Sequence, residues 1–193
     1  GTSKLNGIDD SVSVQLVDSW NRIAVDTKVI SYYNVSVPNI WYVNDTYAVT
    51  GDSWCSGFGN DGNLGVTRNK PRRTLNSLEG LLSVGYTIYI DSGIYWENDT
   101  FTITADSITI MGVDSTVSII DFLDSTSVSA QDGFCASNRV NLLIKNIKIK
   151  NANNGIWFRN TDSSVLMNLF IEHTGINGIF VDNGSETNLL INI

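Results

Sequence analysis

Glycines at positions 133, 155 and 178 lie 22 and 23 residues apart. Repetition on that scale constrains a fold more than any single motif. Aligned on these glycines, DGFCASN, NGIWFRN and NGIFVDN fall in register. One position later stand Phe134, Ile156 and Ile179; three later stand Ala136, Phe158 and Val181. Both sets have the parity of one strand face, because successive strand side chains point to opposite sides. Five positions after each glycine come Asn138, Asn160 and Asn183. The other half of the period repeats as well. LLIKNIKIKN (142–151) matches SVLMNLFIEH (164–173), with Asn146 over Asn168, Ile147 over Leu169 and Ile149 over Ile171. TNLLINI (187–193) begins a third copy that brings Asn192 and Ile193 into the same columns.

Short alternating strands with Gly and Asn at the corners and only 2 Pro in the chain describe a parallel β-solenoid. Leucine-rich repeats share this length but need a Leu-x-x-Leu-x-Leu pattern and a helical segment, which the repeat lacks. Successive coils of a solenoid pair at about 4.8 Å, so sequence columns become physical stacks. Buried asparagine amides stacked this way are expected to bond along the axis and fix the corners, as Asn138–Asn160–Asn183 and Asn146–Asn168–Asn192. Arg159 would pair with Asp182, and Lys150 with Glu172, as exposed inter-coil ion pairs worth about 0–1 kcal/mol each.

The composition narrows the function. Twelve Lys and Arg against 20 Asp and Glu give a net charge of −8 over 193 residues, which argues against nucleic-acid binding. TRNKPRR (67–73) holds the one basic cluster and reads as a solvated connector. Membrane insertion is not expected, since no stretch approaches the roughly 18 apolar residues of a span. Cys55 and Cys135 form either a disulfide or two free thiols. With a single His and no clustered Cys, no zinc site is expected.

Upstream of the repeat, TLNSLEGLLS (74–83) carries Leu75, Leu78, Leu81 and Leu82 at helical spacing behind Thr74, a suitable N-cap. Alternating strands are expected within 86–96, 100–104, 107–113 and 117–122. Taken with WYVNDT and GDSWCSGFGNDGNLG, the segments YTIYIDSGIYWEN (86–98) and SITIMGVDSTVSIID (107–121) resemble the N-terminal part of right-handed parallel β-helix proteins of the pectate-lyase-like superfamily. The similarity runs over about residues 40–193 and is greatest to modules of large secreted or cell-surface bacterial proteins. It implies that the leucine-bearing helix caps the first coil, where core and strand edge would otherwise be exposed. Residues 1–39 contain two expected strands, about Val12–Val17 and Thr27–Tyr33, and resemble the end of an immunoglobulin-like or fibronectin-type domain. Two strands do not build a core of their own. The chain opens on Gly-Thr and stops inside an apolar strand, so it is expected to be a piece cut from a longer protein.

Lyases of this superfamily use an Arg or Lys base beside carboxylates that hold calcium, which together make the proton next to a uronate carboxylate removable. Here Asp121, Asp124, Asp132, Asp162 and Asp182 are scattered at turns, so no catalytic residue carries over. A glycosidase needs two facing carboxylates; Asp182 and Glu186 are a conceivable pair without further support. GNDGNLG (59–65) lacks the alternating acids of a calcium loop and reads as a turn, which leaves calcium a candidate and no other cofactor expected. His173 falls at a corner over Asn151. Cys135, Trp157 and Phe180 share outward parity, so Trp157 and Phe180 either stack on a sugar or lie under a covering partner. Asn34, Asn44, Asn98 and Asn183 begin Asn-x-Ser/Thr sequons.

The sequence therefore predicts an all-β chain: a right-handed parallel β-helix with a short N-terminal capping helix, preceded by a β-hairpin. Two functions fit. One is a non-catalytic extracellular or cell-surface module, structural or adhesive, that associates with itself, neighbouring domains or a polysaccharide. The other is a fragment of a secreted polysaccharide lyase or glycoside hydrolase whose catalytic coils lie outside this chain.

Overall fold

The computed structural model describes residues 9–17, 23–31, 39–47, 51–122 and 131–193. Its contacts divide the chain into two units, Gly1–Val37 and Pro38–Ile193. In the first unit, β1 (Asp9–Val17) and β2 (Ile23–Ser31) pair antiparallel, with Asp9 opposite Ser31 and Val17 opposite Ile23. Pairing rather than alternation sets these limits. Polar Asp9, Asp10 and Ser11 join the ladder, and β2 begins at Ile23 instead of the expected Thr27. Tyr32 and Tyr33 lie outside the described residues.

Every strand pairing described in the second unit is parallel. One sheet runs in the order β14-β12-β10-β7-β4-β3: Leu189–Ile191, Val165–Glu172, Leu143–Lys150, Thr109–Gly112, Thr87–Ile90 and Ile40–Val43. Off this path, β5 (Gly93–Trp96) pairs with β8 (Ser118–Asp121), and β8 pairs with the second half of β10. The other sheet runs β13-β11-β9-β6: Asn177–Asp182, Asn154–Asp162, Phe134–Val140 and Phe101–Ile103. The chain is thus all-β with parallel sheets, and its registers follow the sequence columns. Ile156 lies between Phe134 and Ile179, and Ile147 beside Leu169.

In the second unit, alternation places one apolar set of the strands from β3 to β12 in a shared core. Trp41, Ile88, Ile110, Ile144 and Leu166 form one register column, and all are buried. Phe101, Phe134 and Ile156 form another on the second sheet. Phe134 sits edge-on to both Phe101 and Phe122, with centroids 5.8 Å apart in each case. Each such side chain removed from water contributes roughly 1.5–3 kcal/mol. Toward β13 and β14 the columns open: Val181 is 38% and Leu190 47% exposed.

The expected capping helix over 74–83 reduces to one 3-10 turn, Asn76–Leu78. Side chains cap its N-terminal amides, which no helix satisfies from within. The Glu97 carboxylate accepts the Leu75 and Asn76 N–H groups at 2.6 and 3.1 Å, and Thr74 Oγ1 accepts that of Ser77 at 3.2 Å. Glu79 then leaves helical conformation at ψ 137° while its carboxylate accepts Thr102 N–H. Leu75, Leu78 and Leu82 are buried as the spacing requires, whereas Leu81 is 43% exposed.

Candidate functional site

The outward column of the shorter sheet runs Thr102, Cys135, Trp157, Phe180. The Trp157 and Phe180 rings are 6.4 Å apart and inclined at 34°. Phe180 is 39% exposed, whereas Trp157 is half-buried and its indole N–H is buried without a partner. The pair presents one open ring and one shielded ring rather than a bare two-ring platform. Burial raises the Cys135 thiol, and the charges of Asp132 and Asp182 add to the effect. Acidic groups therefore flank this column.

The asparagine columns stack, but on the surface. Asn160 donates to Asn138 at 2.7 Å, Asn168 to Asn146 at 3.0 Å, and Asn192 to Asn168 at 2.9 Å. Asn138, Asn160, Asn168 and Asn192 are exposed and Asn146 is half-buried, so the expectation of buried ladders is corrected. The backbone explains their placement. All six predicted residues have φ between 46° and 58°. Asparagine tolerates this left-handed conformation, and it turns the chain at the corner. His173, at φ 54°, occupies the same kind of corner as Asn151 at 59°. Asn183 breaks the first ladder: its amide points to Asp182 Oδ2 at 3.4 Å and away from Asn160. The ladder with a buried member is Asp132–Asn154–Asn177, joined at 2.7 and 2.8 Å, with Asn154 8% exposed.

The ion pairs also differ from expectation. Lys150 bonds Asp121, its register partner on β8, at 2.9 Å, and Glu172 takes Lys148 at 3.4 Å. Lys148 also lies 4.5 Å from the centre of the Phe170 ring. This residue shares a face with Glu172 two positions away in register, which lets it compete with Lys150. Arg159 stands in register with Asp182, but Asp182 Oδ1 is buried without a hydrogen-bond partner.

Most carboxylates that sequence reasoning left unassigned hold backbone. Asp91, fully buried, accepts the N–H groups of Ser53, Trp54 and Cys55 at 2.6–2.9 Å and that of Ser92 at 2.8 Å. Asp61 accepts those of Arg73 and Thr74, both at 2.9 Å, which makes GNDGNLG a tethered turn. Asp132 accepts Asn154 N–H, Asp162 that of Glu186, and Asp106 that of Val140. Burial raises the Asp45 and Asp52 carboxyls, with Asp91 adding repulsion to both. Burial pushes Glu97 up to about 7 against its two amide bonds, and Asp61 and Glu79 raise it further. A signal for these roles exists in the sequence: Asp91 and Glu97 interrupt apolar strands at the ends of YTIYI and GIYW.

Cys55 and Cys135 are free thiols. Burial drives the Cys55 thiol far above its ordinary range. Asn44 is fully buried, which closes its sequon; Asn98 and Asn183 are exposed, and Asn34 lies outside the described residues. Among the described residues, no three or more His, Cys, Asp or Glu side chains are placed to hold a metal ion. No helix among them is long and apolar enough to cross a membrane. No family profile, curated protein or solved structure matches the chain.

Proposed function

We propose that this chain is a non-catalytic structural module, built as a right-handed parallel β-helix of the pectate-lyase-like kind and carried by a secreted or cell-surface protein. The observation that carries the reading is the use of its acidic groups. Asp61, Asp91, Glu97, Asp106, Asp132 and Asp162 each accept backbone N–H groups from another segment. A carboxylate committed to backbone amides is oriented by the fold and is poorly placed to move a proton on a substrate. The acidic balance then serves architecture, by joining coils and loops at places where backbone donors would otherwise lie unpaired.

A structural role also needs a surface on which to act. The β13 and β14 strands sit at the edges of their sheets, beside exposed Phe180, Val181, Leu189 and Leu190. Edges of this kind recruit further strands through main-chain hydrogen bonds, with apolar side chains adding affinity.

Catalysis is tested by incubating the full chain with uronate polymers, with and without added calcium. The ultraviolet absorbance of unsaturated products and the number of reducing ends are both followed. The structural reading expects neither to rise. A rise in both signals would overturn it in favour of a lyase, and a rise in reducing ends alone in favour of a hydrolase.

A further inference from the structure

Four Asn-Gly pairs occur in the sequence, at 6–7, 154–155, 177–178 and 183–184. The first lies outside the described residues. Asn154 and Asn177 lie within strands, and their amides are held in the Asp132–Asn154–Asn177 ladder. Asn183 differs in each respect. It is exposed, lies beyond the end of β13, and has no ladder partner. With φ 49° at Asn183 and 81° at Gly184, both central residues of the 182–185 turn have positive φ, as a type I′ turn requires. The turn is closed at the Asp182 carbonyl, which accepts Ser185 N–H at 3.3 Å and the Ser185 hydroxyl at 2.9 Å.

We propose that Asn183–Gly184 is a site of spontaneous covalent modification, at which the asparagine side chain closes on the following backbone nitrogen. The Gly184 nitrogen attacks Asn183 Cγ, the Cγ–Nδ2 bond breaks, and the proton of the attacking nitrogen leaves with ammonia. Water then opens the resulting succinimide at either carbonyl and leaves aspartate or isoaspartate. Nothing is oxidised or reduced, and water is the sole co-reactant. Glycine in the second position leaves the attacking nitrogen unshielded, and an exposed turn closed by one residue beyond the strand end opens locally more readily than a paired strand.

The consequence extends past the turn. Conversion replaces the Asn183 contact to Asp182 with a second carboxylate beside the first. The isoaspartate form also lengthens the main chain by one carbon just before residues that hold a neighbouring corner. Ser185 Oγ accepts Thr161 N–H at 2.9 Å, Thr187 Oγ1 accepts Ser163 N–H at 3.2 Å, and Asn188 Oδ1 accepts Ser164 N–H at 3.0 Å. Modification at one exposed turn thus loosens the β11–β12 corner.

The full chain is aged at mildly basic pH and mapped by mass spectrometry with fragment assignment, in native buffer and in denaturing urea. In native buffer, Asn183 is expected to convert more than about tenfold faster than Asn154 or Asn177, since local opening controls access. In urea the three rates should converge. Asn183→Gln should abolish conversion at 183, and hydrogen exchange at Thr161, Ser163 and Ser164 should speed up in aged wild type but not in the aged variant. Conversion at Asn154 or Asn177 as fast as at Asn183 in native buffer would overturn the proposal. So would an Asn183 that converts in urea but stays intact in the folded chain.

Discussion

Glu97 is 1% exposed, and its carboxyl is pushed up to about 7 from an ordinary 4.5, chiefly by burial. Its two backbone bonds favour the charged form but do not offset the loss of water. A rise of this size corresponds to roughly 3 kcal/mol, at about 1.4 kcal/mol for each tenfold change in proton affinity. The direction follows from the raised value. Stability from the protonated group is fully present below 4.5 and is lost as pH climbs through about 7. Glu97→Gln places a neutral group of similar shape there, which keeps one oxygen for a backbone amide and has no charge to desolvate. Urea unfolding followed by tryptophan fluorescence, from pH 5 to pH 9, measures the difference between the two proteins and cancels carboxyls common to both. Wild type should lose about 2–3 kcal/mol relative to the variant as pH rises across this window. Parallel stability curves would refute the reasoning and show that the two amide bonds compensate for burial.

Six further substitutions test the packing and the asparagine ladder. Phe134→Ala, at the centre of the aromatic cluster, should cost about 3–5 kcal/mol in urea unfolding. Gly133→Ala would drive a methyl into the Gly155 carbonyl, and Gly155→Ala would place one 2.6 Å from the Gly178 carbonyl, whereas at Gly178 the nearest atom is 3.9 Å away. The first two should destabilise by about 1–3 kcal/mol and lower the thermal midpoint, while Gly178→Ala should stay close to wild type. Asn168→Ala loses both ladder bonds and keeps a β-carbon at φ 53°, so it should cost about 1–2 kcal/mol. Asn168→Gly should recover the backbone part of that loss, and calorimetry of the two variants separates strain from hydrogen bonding.

The columns were legible in the sequence because parallel pairing converts a period into contact. Once Gly133 and Gly155 are aligned, Phe134 over Ile156 and Asn146 over Asn168 follow without knowledge of the loops. Side-chain competition was not legible. Lys148 and Lys150 share parity, and only the shape of the surface decides which reaches Glu172 and which reaches Asp121. The segment around Leu75 has helical spacing, but Glu79 leaves helical conformation at ψ 137° with its carboxylate on Thr102 N–H, and Gly80 follows at φ 75°, so the helix ends after one turn. Of the candidate contact residues, outward parity placed Trp157 and Phe180 in one column, while shielding of the Trp157 indole depends on neighbours that parity does not encode.

The central claim is that residues about one period apart touch across parallel strands. Nuclear Overhauser contacts in the full chain test it directly. The account predicts cross-peaks between Lys145 and Met167, between Met167 and Ile191, and between the rings of Trp157 and Phe180. Their absence, or a set of contacts with antiparallel order between residues 143–150 and 165–172, would contradict it.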